Sequence, residues 1–323
     1  MNQNIGDMIV CSPILREIKK AYPDSNLQVL ASQSNKEIAL ASPYIDVVHI
    51  YKNRWNKLLP LLINLRSHNF DFAIELEAKI ITRVILMLKV IRPKFVLAVS
   101  KAEGRYGIGP QDVLPYDYYT NIKIKHQRDT CLDILRILSI KVKNKGYDIF
   151  YSDEHRKKAL SFFSTFDSKK IIIGLNVTGS SDEKRISNSD VNKIILGVHS
   201  ISNNILIILL HKPEDSKWIN GLISKKISSF VFPSYSTKSV LDLAALVDLV
   251  ITPDTSIVHM ACAFNKPLLA IYRNNSRAFE SWHPKSKFNH VVFSDDVENL
   301  KSLNVNMIVT KISELISLHI KKD

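Results

Sequence analysis

The sequence has little cysteine, and its three cysteines are poorly placed for cross-linking. Cys11, Cys131 and Cys262 lie far apart in apolar surroundings, and their number is odd. Disulfide frameworks and CxxC metal sites need paired, closely spaced cysteines, so the sequence predicts neither. We therefore expect a protein of a reducing compartment, and the cytoplasm fits best.

Long hydrophobic runs are missing as well. The apolar segment 81–91 (ITRVILMLKVI) is shorter than the roughly 20 residues that a transmembrane helix needs, and basic residues interrupt it. The first residues lack the basic and apolar regions of a secretory signal peptide. We expect any contact with a membrane to be peripheral.

Positive charge, by contrast, is in excess. The chain has 44 Lys and Arg residues against 31 Asp and Glu residues, and residues 1–150 hold 22 of the basic and 14 of the acidic ones. This excess indicates an anionic partner such as a phosphorylated substrate or an acidic membrane surface, although solvated lysines explain it equally well. The basic residues are dispersed without interleaved aromatic residues, so nucleic-acid binding is not expected.

Short β-branched runs alternate with longer amphipathic segments, which is the pattern of parallel α/β sheets. The predicted strands cover residues 27–31, 46–51, 70–76, 94–99, 170–176, 204–210, 229–233, 249–252 and 267–272. Predicted helices lie between them, from a first helix near 13–22 to a last one near 305–320. Because the pattern restarts after 150–168, the sequence predicts two doubly wound halves.

The loop after the predicted strand 249–252 has the composition of an anion site. Pro253 ends the strand, and Asp254 or Thr255 can cap the next helix, whose first-turn amides attract a diphosphate. His259 follows Thr255 by four residues, so it lies on the same helix face and can donate to a phosphate oxygen. Asp254 would repel a diphosphate, so a sugar hydroxyl or the capping amides suit it better. Alone, the pattern equally fits a capped helix with a packed histidine.

The segment TPDTSIVHMACAFNKPLLAIY (252–272) resembles the signature of glycosyltransferase family 9, the heptosyltransferases of bacterial lipopolysaccharide assembly. That family has a recurring order of features: a strand, the motif P-D-T-G/S, a His, small helical residues, and a Pro that opens the next strand. DLAALVDLVI is similar to the family's preceding helix and strand. IGDMIVCSPILREIKKAYPDSNLQVLAS, SPYIDVVHIY and FDFAIEL resemble its first half. The resemblance covers most of the chain and is weakest between residues 100 and 165.

This resemblance implies the GT-B architecture, in which two Rossmann-like domains face each other across a cleft. The first domain, 1–155, would bind the acceptor, and the second, 156–323, the nucleotide sugar; whether the last helix packs back on the first domain stays open. The implied reaction is inverting and metal-independent, and the lack of any D-x-D pair agrees with that. It needs a base for the acceptor hydroxyl and a cationic or dipolar environment for the diphosphate.

The resemblance also implies substrates and a location. A heptose would move from ADP-heptose to the lipopolysaccharide inner core. ADP-heptose would be a co-substrate, and no cofactor would be needed. The acceptor would be a lipid-linked anionic saccharide, met at the cytoplasmic face of the bacterial inner membrane. Two alternatives stay open: the same fold using another nucleotide sugar, such as a hexose or N-acetylhexosamine, or a non-catalytic remnant that only binds a nucleotide sugar.

Individual residues receive roles from the same resemblance. Asp7 stands in the position of the family's base, and it lies too far before Pro13 to cap a helix starting there. Lys184 resembles the donor-binding lysine, with Arg185 as a competitor. The donor-binding set is Ser180, Lys184, Glu214, Asp254, Thr255, Ser256 and His259.

Two of these assignments depart from the family pattern. Glu214 would bind the nucleotide ribose, but His211 and Lys212 replace the usual glycine-rich turn before it. Ser256 stands where the family more often has glycine, which affects the identity of the donor sugar.

One element of the family pattern has no counterpart in the sequence. A ligand loop such as NIGDMIVCSP (4–13) usually follows a buried β-strand, and only three residues precede it. We therefore expect the first strand of the N-terminal domain to be missing and neighbouring backbone groups to be unpaired. Stability and activity would then be low unless a longer amino terminus restores them.

Overall fold

The computed structural model divides the chain into two compact units, Met1–Asp148 and Ile149–Asp323. In both units the strands that pair side by side are parallel. The structure describes residues 4–52, 54–77, 80–99, 116–120, 126–150, 157, 160–179, 181–211, 213–224, 226–231 and 244–320.

The first unit has two separate parallel sheets, with strand orders β1-β2 and β3-β4-β5. Its strands are β1 (Gln28–Ala31), β2 (Val47–Ile50), β3 (Phe72–Glu75), β4 (Phe95–Ala98) and β5 (Tyr118–Tyr119). Its helices are α1 (Ile5–Ala21), α2 (Lys36–Ala41), α3 (Trp55–Ser67), α4 (Thr82–Ile91) and α5 (Gln127–Ile137).

Helices cover both faces of the first unit's strands. Leu97 of β4 packs in one cluster with residues of α1 and α5, including Ile14 and Ile134. The neighbouring Val96 packs in another cluster with Val84 of α4. Because successive side chains of a strand point to opposite faces, α1 and α5 lie on one face and α4 on the other.

The first helix begins well before the predicted start near residue 13. α1 starts at Ile5 and contains Pro13. Pro13 lacks the amide that would bond to the carbonyl of Ile9, and the Ser12 hydroxyl donates to that carbonyl at 2.7 Å. At the helix start, the Asn4 amide donates to Asp7 Oδ2 at 3.0 Å. The prediction that Asp7 is too far from a helix to cap one is therefore wrong.

The second unit contains one six-stranded sheet, ordered β11-β10-β9-β6-β7-β8. The strands are β6 (Ile171–Asn176), β7 (Ile205–His211), β8 (Ile227–Val231), β9 (Leu249–Pro253), β10 (Leu268–Tyr272) and β11 (Asn289–Phe293). The helices are α6 (Asn188–Ile201), α7 (Ser216–Asn220), α8 (Ser256–Ala263), α9 (Ser276–Trp282) and α10 (Val305–His319), with 3-10 turns at Asp182–Lys184 and Pro213–Asp215. Continuous apolar runs such as IIIGL and ILIILL form its central strands because these are buried on both faces.

Several second-unit elements differ from the sequence predictions. Strand β11 was not predicted, and the predicted helix 214–226 is reduced to the short α7. The last helix, α10, buries Ile308, Ile312 and Leu315 in the core of the second unit. Within the described residues, no helix has both the length and the apolar composition needed to cross a bilayer.

Candidate functional site

The sheet of the second unit has a switch point beside β6. Strands β7 and β8 lie on one side of β6, and β9, β10 and β11 lie on the other. After β6, the chain first places β7 and β8 on one side of β6, and it then returns to place β9 directly on the other side. In open parallel sheets, such a reversal leaves a crevice at the carboxyl ends of the strands, where ligands bind.

Two buried polar side chains join the strands at this crevice. Asn176 ends β6, and its Nδ2 donates to Oγ1 of Thr252 on β9 at 2.9 Å. Both side chains are buried. The Oδ1 atom of Asn176 accepts from the backbone amide of Thr178 at 3.2 Å. Because a buried amide is costly unless it is bonded, these contacts fix the start of the loop after β6 against β9.

Lys184 and Asp254 meet at the same edge of the sheet. The Lys184 Nζ lies 2.5 Å from Asp254 Oδ2, and both side chains are partly buried. Gly179 makes this approach possible, because an added Cβ there would lie only 2.3 Å from the Cβ of Lys184. The crevice therefore holds a cation and a carboxylate in contact, 70 residues apart in the chain.

The neighbouring Arg185 has a different partner. Its Nη2 donates to Oδ1 of Asp215 at 2.5 Å, and Asp215 is buried after the end of β7. Lys184 and Arg185 are the two candidates for binding the diphosphate. Lys184 lies beside the loop after β9, whereas Arg185 pairs with the buried Asp215. This placement favours Lys184 over Arg185.

Helix α8 presents its first turn at the crevice. Thr255 is its N-cap and its Oγ1 accepts from the amide of Ile257 at 3.2 Å. The same oxygen lies 3.2 Å from Oγ1 of Thr252, so the cap is tied to the end of β9. The sequence allowed either Asp254 or Thr255 as the helix cap, and the structure shows that it is Thr255. Ser256 is the first helical residue. Free first-turn amides and the helix dipole favour an anion here.

His259 lies one turn into α8 and is buried against Trp282, with ring centroids 5.9 Å apart. Burial and, to a smaller extent, the nearby charge of Lys184 together lower the pKa of His259 to about 4. The imidazole is therefore neutral near pH 7. It can donate a hydrogen bond through one ring N–H, but it supplies no positive charge to a diphosphate.

Two residues of the predicted donor set are placed differently. Ser180 lies outside the described residues. The Glu214 side chain is exposed in the 3-10 turn that follows β7, at the same edge of the sheet as Lys184. The next residue, Asp215, is the buried carboxylate of this turn.

Asp7 belongs to the first unit, in the first turn of α1. Burial raises its pKa above the usual aspartate value, although the hydrogen bond from the Asn4 amide opposes this rise. The Asn4 carbonyl accepts from Asn35 Nδ2 at 3.4 Å, and Asn35 follows the end of β1. Asp7 therefore lies near the carboxyl end of β1, and its raised pKa is appropriate for a group that takes up a proton.

Sequence reasoning missed Asn176, Gly179 and Trp282. The first had a recognisable signal, since a polar residue ending a continuous apolar strand lies at the ligand-binding edge of a parallel sheet. Gly179 contacts Lys184 through a loop that folds back, and Trp282 contacts His259 from a later helix. No local sequence pattern reveals either contact. In the described part of the chain, no cluster of His, Cys, Asp and Glu is arranged to hold a metal ion.

Comparison with known proteins gives one consistent family. The family model described as Glycosyltransferase family 9 (heptosyltransferase) matches residues 61–312. Lipopolysaccharide heptosyltransferase 3 of Escherichia coli K12 is 20% identical over 297 residues, covering 86% of this chain and 82% of the relative.

Solved structures show the same fold. The family 9 glycosyltransferase from Veillonella parvula DSM 2008 has a TM-score of 0.80 at 17% identity, covering 98% of this chain and 95% of that one. Escherichia coli heptosyltransferase WaaC, solved with ADP-2-deoxy-2-fluoro heptose, has a TM-score of 0.69 at 16% identity, covering 97% of each chain. These likenesses identify the fold as the GT-B type.

Proposed function

The chain belongs to glycosyltransferase family 9, the heptosyltransferases of lipopolysaccharide biosynthesis, and we propose that it transfers a heptose from ADP-heptose to the lipopolysaccharide inner core. It is therefore a glycosyltransferase. The proposed transfer inverts the anomeric carbon and uses neither a metal nor another cofactor. The nucleotide is supported by the relative solved with an ADP-heptose analogue.

The observation that carries this proposal is the contact of Lys184 with Asp254 beside the first turn of α8. The ammonium group and the amides of 255–257 together offer positive charge and hydrogen-bond donors to a leaving diphosphate. Asp254 accepts from a sugar hydroxyl, and neutral His259 donates to a phosphate oxygen. Ser180, on a phosphate, and Glu214, on the ribose, complete the proposed donor site.

Asp7 is the proposed base. Its carboxylate removes the proton from an acceptor hydroxyl, and the acceptor oxygen attacks the anomeric carbon of the heptose. The bond from that carbon to the diphosphate oxygen breaks, and ADP leaves with the bonding electron pair. The proton stays on Asp7, whose raised pKa favours holding it.

The family's role in lipopolysaccharide biosynthesis supports the proposed acceptor and location, and the charge of the first unit agrees with them. Residues 1–150 carry 22 basic and 14 acidic residues, which favours an anionic acceptor in the first unit. We place that lipid-linked saccharide at the cytoplasmic face of the bacterial inner membrane, with the protein in peripheral contact with it.

Calorimetric titration with a panel of nucleotide sugars tests the donor. We expect ADP-heptose to bind more tightly than ADP-hexoses or a UDP-N-acetylhexosamine. Replacing Lys184 by Met should weaken ADP-heptose roughly 10- to 100-fold, because a charge-assisted hydrogen bond is lost. Lys301→Met, at an exposed lysine of the same unit, is the matched control. Tighter binding of another nucleotide sugar would overturn the donor assignment, and donor binding without turnover on any core acceptor would overturn the reaction.

A further inference from the structure

Two helices of the first unit, α3 and α4, expose apolar side chains to solvent. Leu59 and Ile63 of α3 are 51% and 59% exposed, and Leu86 of α4 is 47% exposed. Each helix also buries a different apolar side, in the clusters that contain Leu58 and Val84. Packing in the core therefore does not account for the exposed residues, and exposed apolar residues that share one surface mark a site of interaction.

The exposed sides of α3 and α4 do share one surface. Met87 of α4 packs in one cluster with Leu58 and Leu62 of α3, so the two helices lie side by side. Helix α4 lies on the face of the strands opposite α1 and α5. Leu30 of β1 packs against the cluster that contains α3. The strands are thus on the inner side of both helices, and the exposed sides of α3 and α4 form a common outer surface.

The charged residues of these two helices are all basic. Lys57 and Arg66 are exposed on α3, and Lys89 is exposed on α4. Neither helix contains an Asp or Glu residue. Arg66 follows Ile63 by three positions, which places the two side chains beside each other on the helix surface. Lys89 follows Leu86 in the same way, so the outer surface combines apolar side chains with positive charge.

This surface lies in a strongly basic part of the chain. We call it the basic-apolar face, and it consists of the exposed residues Lys57, Leu59, Ile63, Arg66, Leu86 and Lys89. Residues 52–94 contain nine basic and three acidic residues, so they hold six of the thirteen excess positive charges. Of the acidic residues, Asp71 pairs with Lys94 at 2.7 Å, and Glu75 is buried in β3. The face should therefore attract an anionic partner.

Exposed leucines of the second unit have different surroundings. Leu196 of α6 is 71% exposed, but α6 also carries Asp190. Leu318 of α10 is 66% exposed, and α10 carries Lys311 and Glu314, which form an ion pair. Both of these helices have charges of both signs, whereas α3 and α4 have basic residues alone. The combination of apolar exposure with one sign of charge therefore distinguishes the basic-apolar face.

An anionic phospholipid bilayer fits this face better than a second copy of the chain does. A two-fold contact pairs a surface with itself, so two copies joined through the face would bring their basic residues together. A bilayer instead offers phosphate headgroups to the basic residues and an apolar interior to Leu59, Ile63 and Leu86. Lys and Arg side chains suit that boundary, because their stems are apolar and their charged ends reach the headgroups.

We propose that the basic-apolar face docks the first unit on a bilayer of anionic phospholipids. Its three apolar side chains lie at the acyl boundary, and its three basic side chains lie among the headgroup phosphates. Because the sides of α3 and α4 make the contact, the axes of both helices run along the membrane surface. This inference deepens the peripheral contact of the proposed function, and it rests on that function for the identity of the membrane.

Flotation of the full chain with phospholipid vesicles tests the docking face. We expect binding to vesicles of equal parts phosphatidylglycerol and phosphatidylcholine, and at least about tenfold weaker binding to phosphatidylcholine alone. Added salt should weaken the binding. Replacing Lys57, Arg66 or Lys89 by Gln should weaken it about fivefold each, and the triple variant about 100-fold. Ile63→Gln should weaken it about tenfold, because an apolar side chain is lost from the acyl boundary.

Matched controls come from exposed residues outside the face. Lys301→Gln removes an exposed lysine of the second unit, and Leu196→Gln removes an exposed leucine. Both variants should bind the mixed vesicles as the wild type does. Equal binding of the wild type to the two kinds of vesicle would overturn the proposal. Equal losses in the control variants and the face variants would overturn it as well.

Sedimentation without vesicles tests the other occupant. We expect a chain that does not associate through this face, so Ile63→Gln should leave the sedimentation unchanged. A dimer that Ile63→Gln dissociates would identify a second copy as the occupant and overturn membrane docking.

Turnover of a delipidated core saccharide by the wild type, without vesicles, separates this proposal from the proposed function. Turnover without vesicle binding would overturn the docking face and leave the reaction supported. Vesicle binding without turnover would overturn the reaction and leave the docking face supported.

Discussion

The two units contain the same kinds of elements but differ in the continuity of their sheets. In the second unit six parallel strands form one sheet, and β6, β7, β9 and β10 are buried along their whole length. In the first unit the strands are divided into two sheets, and β1 and β3 are only partly buried. Helices cover both faces of the strands in the first unit as well. The difference in strand burial therefore goes with the break in the sheet between β1 and β3.

This difference bears on how each unit holds its reactive groups. The buried ends of β6 and β9 fix Asn176 and Thr252 at 2.9 Å, and this contact supports the loops that carry Lys184 and Asp254. Asp7 instead lies in the first turn of α1, near the carboxyl end of β1. The strands that support the proposed donor site are thus more completely buried than β1, whose carboxyl end lies near Asp7.

The largest expected effect separates the two units by function. Under the proposed function, replacing Asp7 by Asn should lower kcat about 10²- to 10⁴-fold, because the acceptor hydroxyl loses its base. Donor affinity, measured by calorimetry, should stay within about twofold since the proposed donor site belongs to the other unit. Because the pKa of Asp7 is raised, the acidic limb of the wild-type kcat/KM profile should lie above the usual aspartate range.

Asp24→Asn is the matched control, at an exposed carboxylate beyond the other end of α1. It should leave both kcat and donor affinity unchanged. Near-normal turnover by Asp7→Asn would show that Asp7 is not the base.

The next effect concerns the stability of the second unit. His259 has a pKa of about 4 when folded and about 6.5 when unfolded. Between these values the unfolded chain binds more protons, so the free energy of unfolding should rise with pH from about 4 to 6.5 and then level off. The contribution is on the order of 3 kcal/mol.

Urea titrations at several pH values measure this dependence. His259→Phe keeps a ring beside Trp282 and should reduce the slope, whereas His319→Phe, at an exposed histidine of the same unit, should not. An unchanged slope in His259→Phe would mean that the imidazole is not the group being titrated.

A smaller effect tests how tightly the second-unit crevice is built. Gly179→Ala places a Cβ against Lys184, so either the loop or the lysine must move. Overpacking of this kind costs about 1–3 kcal/mol, and we expect donor affinity to fall roughly 10-fold. Gly221→Ala is the milder comparison, since its added Cβ would lie 3.3 Å from the Trp218 carbonyl oxygen and requires only a small shift, far from Lys184 in the sequence. Equal donor affinity in Gly179→Ala and the wild type would show that the close approach does not position Lys184.

The smallest effect compares the two cores directly. Ile173 is fully buried in β6, and Ile18 of α1 borders a cavity of the first unit that residues of β1 and β3 also line. Ile173→Val should cost about 1 kcal/mol of unfolding free energy, and Ile18→Val less, because a side chain beside a cavity has fewer packing partners to lose. Chemical denaturation of both variants gives the comparison. A larger cost at Ile18 would mean that the side of Ile18 that faces the cavity is already well packed.

Much of the second unit was predictable from sequence because its central strands are continuous apolar runs. The strand, cap and helix around Asp254 were also predictable, since Pro, Thr and small helical residues each have a local role there. The family assignment is confirmed by the match over residues 61–312. The roles of individual site residues stay predictions.

The errors have local physical causes. The sequence predicts a helix start at Pro13 because proline normally interrupts a helix, but the Ser12 hydroxyl supplies a donor to the carbonyl that Pro13 leaves unbonded. A different kind of contact also escapes sequence reasoning: Cys11 and Cys131 are distant in the sequence, and the sulfur atoms of these free cysteines lie 2.8 Å apart between α1 and α5. Such contacts join residues 120 positions apart, so spacing in the sequence does not reveal them.

The contact of Lys184 with Asp254 has a consequence for the end of the catalytic cycle. Under the proposed function, the carboxylate binds the sugar while the lysine binds the diphosphate. After transfer the sugar is gone, and Asp254 is again available to the ammonium group. It then competes with ADP for Lys184, so the same carboxylate that recognises the intact donor promotes release of the spent nucleotide and limits product inhibition.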